Sequence, residues 1–132
     1  KGFQKEKWLY NYWVAKDEIS KSGVAILVES PGNVWRLAEA GIHNVVAIFG
    51  TAFNNDQKNL LDESGALSLI CLMDNDDAGQ KAAKKIEEQC GRLYRIYFPS
   101  FDAADIAELN VDTVTSDIKP FIENAMNVYK EI

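Results

Sequence analysis

Two apolar runs in this chain end in carboxylates. Glu29 closes Val24-Ala25-Ile26-Leu27-Val28, and Asp74, Asp76 and Asp77 follow Leu67-Ser68-Leu69-Ile70-Cys71-Leu72-Met73. Strands buried on both faces of a parallel sheet read as such runs, and open α/β sheets bind ligands beyond the carboxyl ends of their strands, at the switch point in strand order. If strands one and three are neighbours, Glu29 faces Asp74 and Asp76 across one rim. Hard cations such as Mg²⁺ take oxygen ligands, need few protein carboxylates and share the rest of their shell with water and phosphate. Two aspartates one residue apart at a strand end can both turn toward one ion. Asp77 is placed to cap the helix that follows, with Gly79 permitting close approach. Acids that only cap helices and solvate loops are the competing reading, and a lone D-x-D spacing leaves both open.

The elements that must position these groups follow from patterning. Strands are expected over Val24 to Glu29, Val45 to Gly50, Leu67 to Asp74 and Arg92 to Phe98. Between the first two, Ser30 reads as a helix N-cap with Pro31 at the first helical position, and Gly41 supplies the stop. Asp56 to Asp62 reads as a second helix. Gly79, Ala82, Ala83, Ile86 and Cys90 fall at helical spacing on a third, with Lys81, Lys84, Lys85 and Glu88 on its other face. Phe121, Ile122, Ala125, Val128, Tyr129 and Ile132 describe a closing amphipathic helix from Ser116, with Pro120 tolerated in its first turn. With an aromatic, helix-compatible lead-in over Trp8 to Ile19, this is βαβαβαβ with a helical cap at each end. The division expected is residues 1–22 as a helical lead-in and 23–132 as the domain proper.

With 132 residues, 47% of them apolar, the chain can bury one core without disulfides or a structural metal. It begins at Lys1 without an initiator methionine, which leads to the expectation of a piece of something longer. No apolar run approaches a membrane span and nothing reads as a signal peptide, so a cytoplasmic, non-membrane protein is expected. Cys71 and Cys90 lack metal spacing and read as reduced packing residues. A net charge of −6 argues against an autonomous nucleic-acid binder, because such binding rests on neutralised phosphates, but it is compatible with an acidic metal site fed by a neighbouring domain.

Glu29 after the first strand, Phe49-Gly50-Thr51-Ala52 after the second and Asp74-Asn75-Asp76-Asp77-Ala78-Gly79 after the third resemble, in order, the Toprim domain shared by DnaG-type primases, phage primase-helicases, type IA and type II topoisomerases and certain nucleases. The resemblance covers about residues 23–107. The Ala-Gly after the second aspartate, the Gly-Thr-Ala turn and the lead-in Leu9-Tyr10-Asn11 to Ala15-Lys16 are most similar to the primases. It implies a Rossmann-like, doubly wound sheet of about four mainly parallel strands flanked by helices. It implies Glu29 in acid/base catalysis or metal ligation and Asp74 and Asp76 as the metal pair, holding Mg²⁺ or Mn²⁺. Asp102 falls near the third acidic position of primase-type domains. Two departures stand out: Ser30 follows the glutamate where a glycine is usual, and Phe101 replaces a lysine before the third acidic position.

The function implied is metal-dependent nucleotidyl transfer, RNA primer synthesis on single-stranded DNA from ribonucleoside triphosphates in a bacterial or phage-infected cell, beside a replicative helicase or a fused helicase domain. The alternatives are a Toprim nuclease or topoisomerase piece and a non-catalytic interaction module. A receiver domain needs its acidic pair after strand one, the reverse of the order here. Lys81, Lys84 and Lys85 could touch a triphosphate or a nucleic-acid backbone, against the reading of an ordinary solvated face. Thr51, with Asn54-Asn55, sits on the acidic rim as a candidate substrate or metal-water contact. His43 reads as a loop residue, and Trp8, Tyr10, Tyr12 and Trp13 as packing rather than a base-stacking platform.

Overall fold

The computed structural model describes residues 7–49 and 53–130. Within them the chain runs α1 (Tyr12–Ser22), β1 (Val24–Val28), α2 (Pro31–Glu39), β2 (Val45–Ala47), α3 (Asn55–Ser64), β3 (Ser68–Cys71), α4 (Asp77–Cys90) and β4 (Arg95–Tyr97). A 3₁₀ turn (Ile106–Glu108), α5 (Val111–Thr113), a π-helical turn (Val114–Ile118) and α6 (Lys119–Lys130) follow. The strands form one parallel sheet in the order β2-β1-β3-β4, paired Ile26 with Val45, Ala25 with Leu69 and Leu69 with Ile96. This is the expected α/β architecture.

The sheet is central because three of its strands have no polar face: β1 and β3 in the middle and β2 at one edge are buried at every position. Alternate residues therefore feed two cores. Ala25, Leu27, Val46, Leu69 and Cys71 point into one with Leu9, Tyr12, Ala15 and Ile19 of the lead-in and Ile86 of α4. Val24, Ile26, Val28, Ile70 and Leu72 point into the other, under Val34 and Leu37 of α2 and Ile118 and Ile122 near the chain's end. Period-two alternation in a strand sends neighbours to opposite faces, so one five-residue apolar run serves both layers.

The helix boundaries follow local chemistry. Ser30 is the N-cap of α2 with Pro31 at its first position, although the serine side chain closes no capping bond. Gly41 ends that helix at φ 82°, a left-handed conformation that a side chain would resist. The second helix is longer than its apolar pattern, because Asn54 Oδ1 accepts the Gln57 N–H at 3.0 Å and starts it early. Pro120 sits in the first turn of α6, as expected, but the helical run enters through α5 and the π turn. All four strands are shorter than the runs that announced them, since pairing stops where the partner strand stops.

The lead-in divides in two. Tyr12 is buried and Tyr10 makes an antiparallel bridge to Ala47 beside β2, whereas Trp13 remains 67% exposed. Cys71 and Cys90 are buried and free, and burial pushes both thiols up, Cys90 to about 11, which suits packing residues. His43 is an exposed loop residue. No helix among the described residues is long and apolar enough to cross a membrane.

Candidate active site

Because β1 and β3 are hydrogen-bonded neighbours, the chain leaves both at the same rim. Leu72 N–H donates to Leu27 O at 2.9 Å, and one step on the Asp74 N–H donates to Glu29 Oε2, also at 2.9 Å. The pairing expected between the two acidic stations is thus a direct contact of carboxylate with backbone amide.

Asp74 is the most perturbed acid here. Its carboxyl is raised to about 6, first by burial and then by the negative charges of Glu29, Asp105 and Asp76, against a lowering contribution from the Asn33 side chain. Its Oδ1 is buried without a hydrogen-bond partner. Asp76 is exposed, and its Oδ1 accepts the Gly79 N–H at 2.7 Å. Asp76 is therefore the N-cap of α4 and Asp77 its first helical residue, a correction of one position to the expected cap. The cap follows from geometry: a carboxylate reaches the N–H three residues on while its own backbone is still extended, as at Asp76 with φ −146°.

Gly79 is where the Asp74–Asp76 loop and α4 come closest. A Cβ there would lie 1.9 Å from Asp74 O and 2.9 Å from Glu29 Oε2, so only glycine lets the helix start pack on the loop. Asn75 pins that loop from the other side. Its N–H donates to Ala104 O at 2.8 Å, and its Nδ2 donates to Phe101 O at 3.0 Å and Ala103 O at 2.6 Å.

That attachment brings in an acid the sequence reading passed over. Asp105, half-buried, is the loop carboxylate whose charge reaches Asp74, while its Oδ1 caps the 3₁₀ turn by accepting the Glu108 N–H at 3.0 Å. Asp102, three residues earlier, is exposed and lines a separate cleft with Leu109, Thr113 and Asp117. The signal for Asp105 was the D-x-x-E spacing of Asp105 and Glu108, which marks a helix start. Asn33 was passed over too. It is a fully buried polar residue within the apolar stripe of α2, and its Oδ1 accepts the Ala107 N–H at 3.0 Å.

The remaining candidates are dispersed. Lys81, Lys84 and Lys85 are exposed on α4. Lys84 lines a cleft of about 530 Å³ together with Asn75, Phe98 and Phe101, beside the Asp74–Asp76 loop. Thr51 lies outside the described residues. Phe49, which precedes its loop, holds φ 62°, a strained conformation for an aromatic residue.

The residues 23–97 match the model of the Toprim domain. The chain belongs to the Toprim family. Within it, this Toprim domain is 44% identical over 101 residues to the DNA primase of Aquifex aeolicus (strain VF5), a match over 74% of this chain and 20% of that protein. It also superposes on the solved zinc-binding and RNA polymerase domains of Aquifex aeolicus primase, with TM-score 0.69 and 30% identity over 96% of this chain and 30% of that one. A DnaG primase catalytic domain solved bound to single-stranded DNA gives TM-score 0.69 and 30% identity over 95% of this chain and 39% of that one. The chain thus spans about a fifth of the length of that curated relative. Its DnaG-type Toprim character, expected from the order of the acidic motifs, stands on these similarities.

Among the described residues, no three acidic, histidine or cysteine side chains already converge as a cation cage. The donor set nevertheless fits a hard cation: it is all oxygen, and Asp74 Oδ1 is a buried acceptor that nothing else satisfies.

Proposed function

We propose that this Toprim domain is the metal-holding part of a DNA primase, supporting template-directed ribonucleotide transfer. The observation that carries the reading is the contact of Glu29 Oε2 with the Asp74 amide, which fixes the acids of two strands at one rim in a chain similar to DNA primases. Asp74 and Asp76 would hold Mg²⁺ or Mn²⁺, with Glu29 as a further ligand or the proton acceptor. Such ions lower the pKa of an attacking 3′-hydroxyl and neutralise charge on a triphosphate. Glu29 accepts the Asp74 N–H through Oε2, and its second carboxylate oxygen makes no hydrogen bond among the described residues, so it is free to take a proton. Asp76 keeps the start of α4 in place through Oδ1, so metal ligation would fall to its other oxygen.

Lys84, in the cleft beside Asn75, is the best placed of the three lysines to meet a phosphate, with Lys81 and Lys85 along the same helix. Thr51 is proposed as a lesser contact of the same rim, and Asp102, in its separate cleft, as a contact away from it. The single-stranded template, the triphosphates and a helicase belong to the longer protein, as does the basic surface that a net charge of −6 does not provide.

The test is primer synthesis by the full-length protein carrying Glu29→Gln, assayed with ribonucleotides and Mg²⁺ on single-stranded template beside a nuclease assay on the same DNA. Glutamine preserves shape and the acceptor for the Asp74 amide, so folding survives while the rate falls about 10²- to 10⁴-fold. Near wild-type primer yield would refute the role of Glu29. Metal-dependent cleavage without synthesis by the wild type would move the domain to the nuclease branch.

A further inference from the structure

We propose that Asn33 is a positioning residue for the acidic rim, clamping the Asp74 carboxylate through its Nδ2 while its Oδ1 holds the loop that carries Asp105. The inference rests on the reading of the rim as a cation site.

Asn33 is 0% exposed, on the buried face of α2. The orientation of its amide is settled by chemistry: the Ala107 N–H can only donate, so the atom that receives it at 3.0 Å is Oδ1. Nδ2 is left on the other side, buried and without a hydrogen-bond partner, and Asp74 Oδ1 is likewise buried and unpartnered. An orphaned donor and an orphaned acceptor are each destabilising when buried apart. They are complementary, and the Asn33 side chain is the one group acting to keep the Asp74 carboxyl from rising further. A small approach of the two satisfies both. Asp74 Oδ1 has a second lone pair, so the amide holds the carboxylate without occupying the direction a cation would use.

Asn33 thereby links three separate stretches of chain. It stands on α2, in the helix that follows Glu29; its oxygen fixes Ala107, two residues from Asp105; its side chain acts on the Asp74 carboxyl beyond β3. Partners of metal ligands that set ligand orientation typically alter metal affinity 10- to 100-fold when removed.

The experiment uses this chain with Mn²⁺ as the probe, followed by calorimetric titration, and thermal melts in chelator. Asn33→Asp keeps the oxygen that receives Ala107 and replaces only the amide nitrogen, putting a carboxylate against Asp74. The metal-free melting temperature should fall, and Mn²⁺ should bind about tenfold more tightly as the extra charge draws it in. Asn33→Ala, which removes the clamp, should weaken Mn²⁺ binding about tenfold. Opposite signs are the signature of a positioning group, because a residue that only anchors Ala107 would leave Asn33→Asp unchanged. If Asn33→Ala does not fold, the Asn33→Asp comparison decides alone.

A second readout needs no metal. In an Asp74→Asn background the Asn33→Asp penalty in the metal-free melt should largely vanish, because the repulsion has lost its partner. Equal penalties in both backgrounds, or Mn²⁺ binding by Asn33→Asp within twofold of wild type, would overturn the clamp. Failure of the wild type to bind Mn²⁺ at all, with that coupling present, would sink the cation reading and leave the clamp standing.

Discussion

Replacing Gly79 by alanine reverses a general expectation. In a helix interior Gly→Ala stabilises by about 1 kcal/mol, because alanine loses less backbone entropy on folding. At Gly79 the added Cβ would lie 1.9 Å from Asp74 O and 2.8 Å from Asp74 C, so loop and helix must part by about 1 Å. Neither neighbour is the end of a flexible side chain. Overpacking against fixed atoms costs about 1–3 kcal/mol. The displacement also stretches the Gly79 N–H bond to Asp76 Oδ1, a cap worth about 1 kcal/mol. The net expectation is a loss of about 2–3 kcal/mol, or roughly 10 °C in melting temperature for a domain of this size. Metal affinity should fall with it, because Glu29 Oε2 is also within 2.9 Å of the new carbon. Gly32→Ala is the internal control. It sits in the first turn of α2, and its Cβ would meet only Ala107 Cβ, at 4.0 Å, an ordinary contact. That variant should be neutral or more stable by up to about 1 kcal/mol. Urea melts of both variants in chelator, followed by Mn²⁺ titration, give the comparison, and Gly79→Ala as stable as Gly32→Ala would refute the close-approach argument.

Two further outcomes follow from the same rim. With Asp74 raised to about 6 in the folded chain against an ordinary 3.8, the native state binds its proton more readily than the unfolded one. The associated stability is therefore full below about pH 4 and lost as pH rises through about 6, by about 1 kcal/mol once solvent screening is allowed for. Urea melts in chelator across this range should show that fall in the wild type and a flatter profile in Asp74→Asn; identical profiles would remove Asp74 as its source. Asp76 separates capping from ligation: Asp76→Asn should keep the metal-free stability while weakening Mn²⁺ binding, whereas Asp76→Ala should lose both, with about 1 kcal/mol gone from the melt. Equal metal binding by wild type and Asp76→Asn would leave Asp76 a cap alone.

What could be read from the sequence was what depends on short-range regularities. Apolar runs identify buried parallel strands because such strands have no polar face, and Glu29 and Asp74 were found because they interrupt two of those runs at their ends. The switch-point rule then supplied the neighbour relation of β1 and β3 without any view of the sheet. The residues passed over depend on contacts between distant stretches. Asp105 acts at the rim only because Asn75, 30 positions earlier, binds Ala104, and Asn33 matters through Ala107, 74 positions away. No periodicity in either segment encodes those bonds.

The one-residue error in the cap of α4 exposes the rule this rim obeys. The spacing puts metal ligation on Asp76 and the cap on Asp77, yet one carboxylate can do both, since a cap uses a single oxygen. Glu29 divides its labour in the same way, with one oxygen on the Asp74 amide, and Asp105 gives one oxygen to the 3₁₀ turn. Each acid at the rim is thus oriented by a backbone N–H that it would need even if no ligand ever came. Asp74 is the exception: its buried Oδ1 has no such partner, and it carries the raised pKa. A cluster of like charges held by backbone bonds, with one member that no backbone N–H holds, is strained until a cation or a proton arrives, which is why the same carboxylate sets both the pH dependence and the expected metal response.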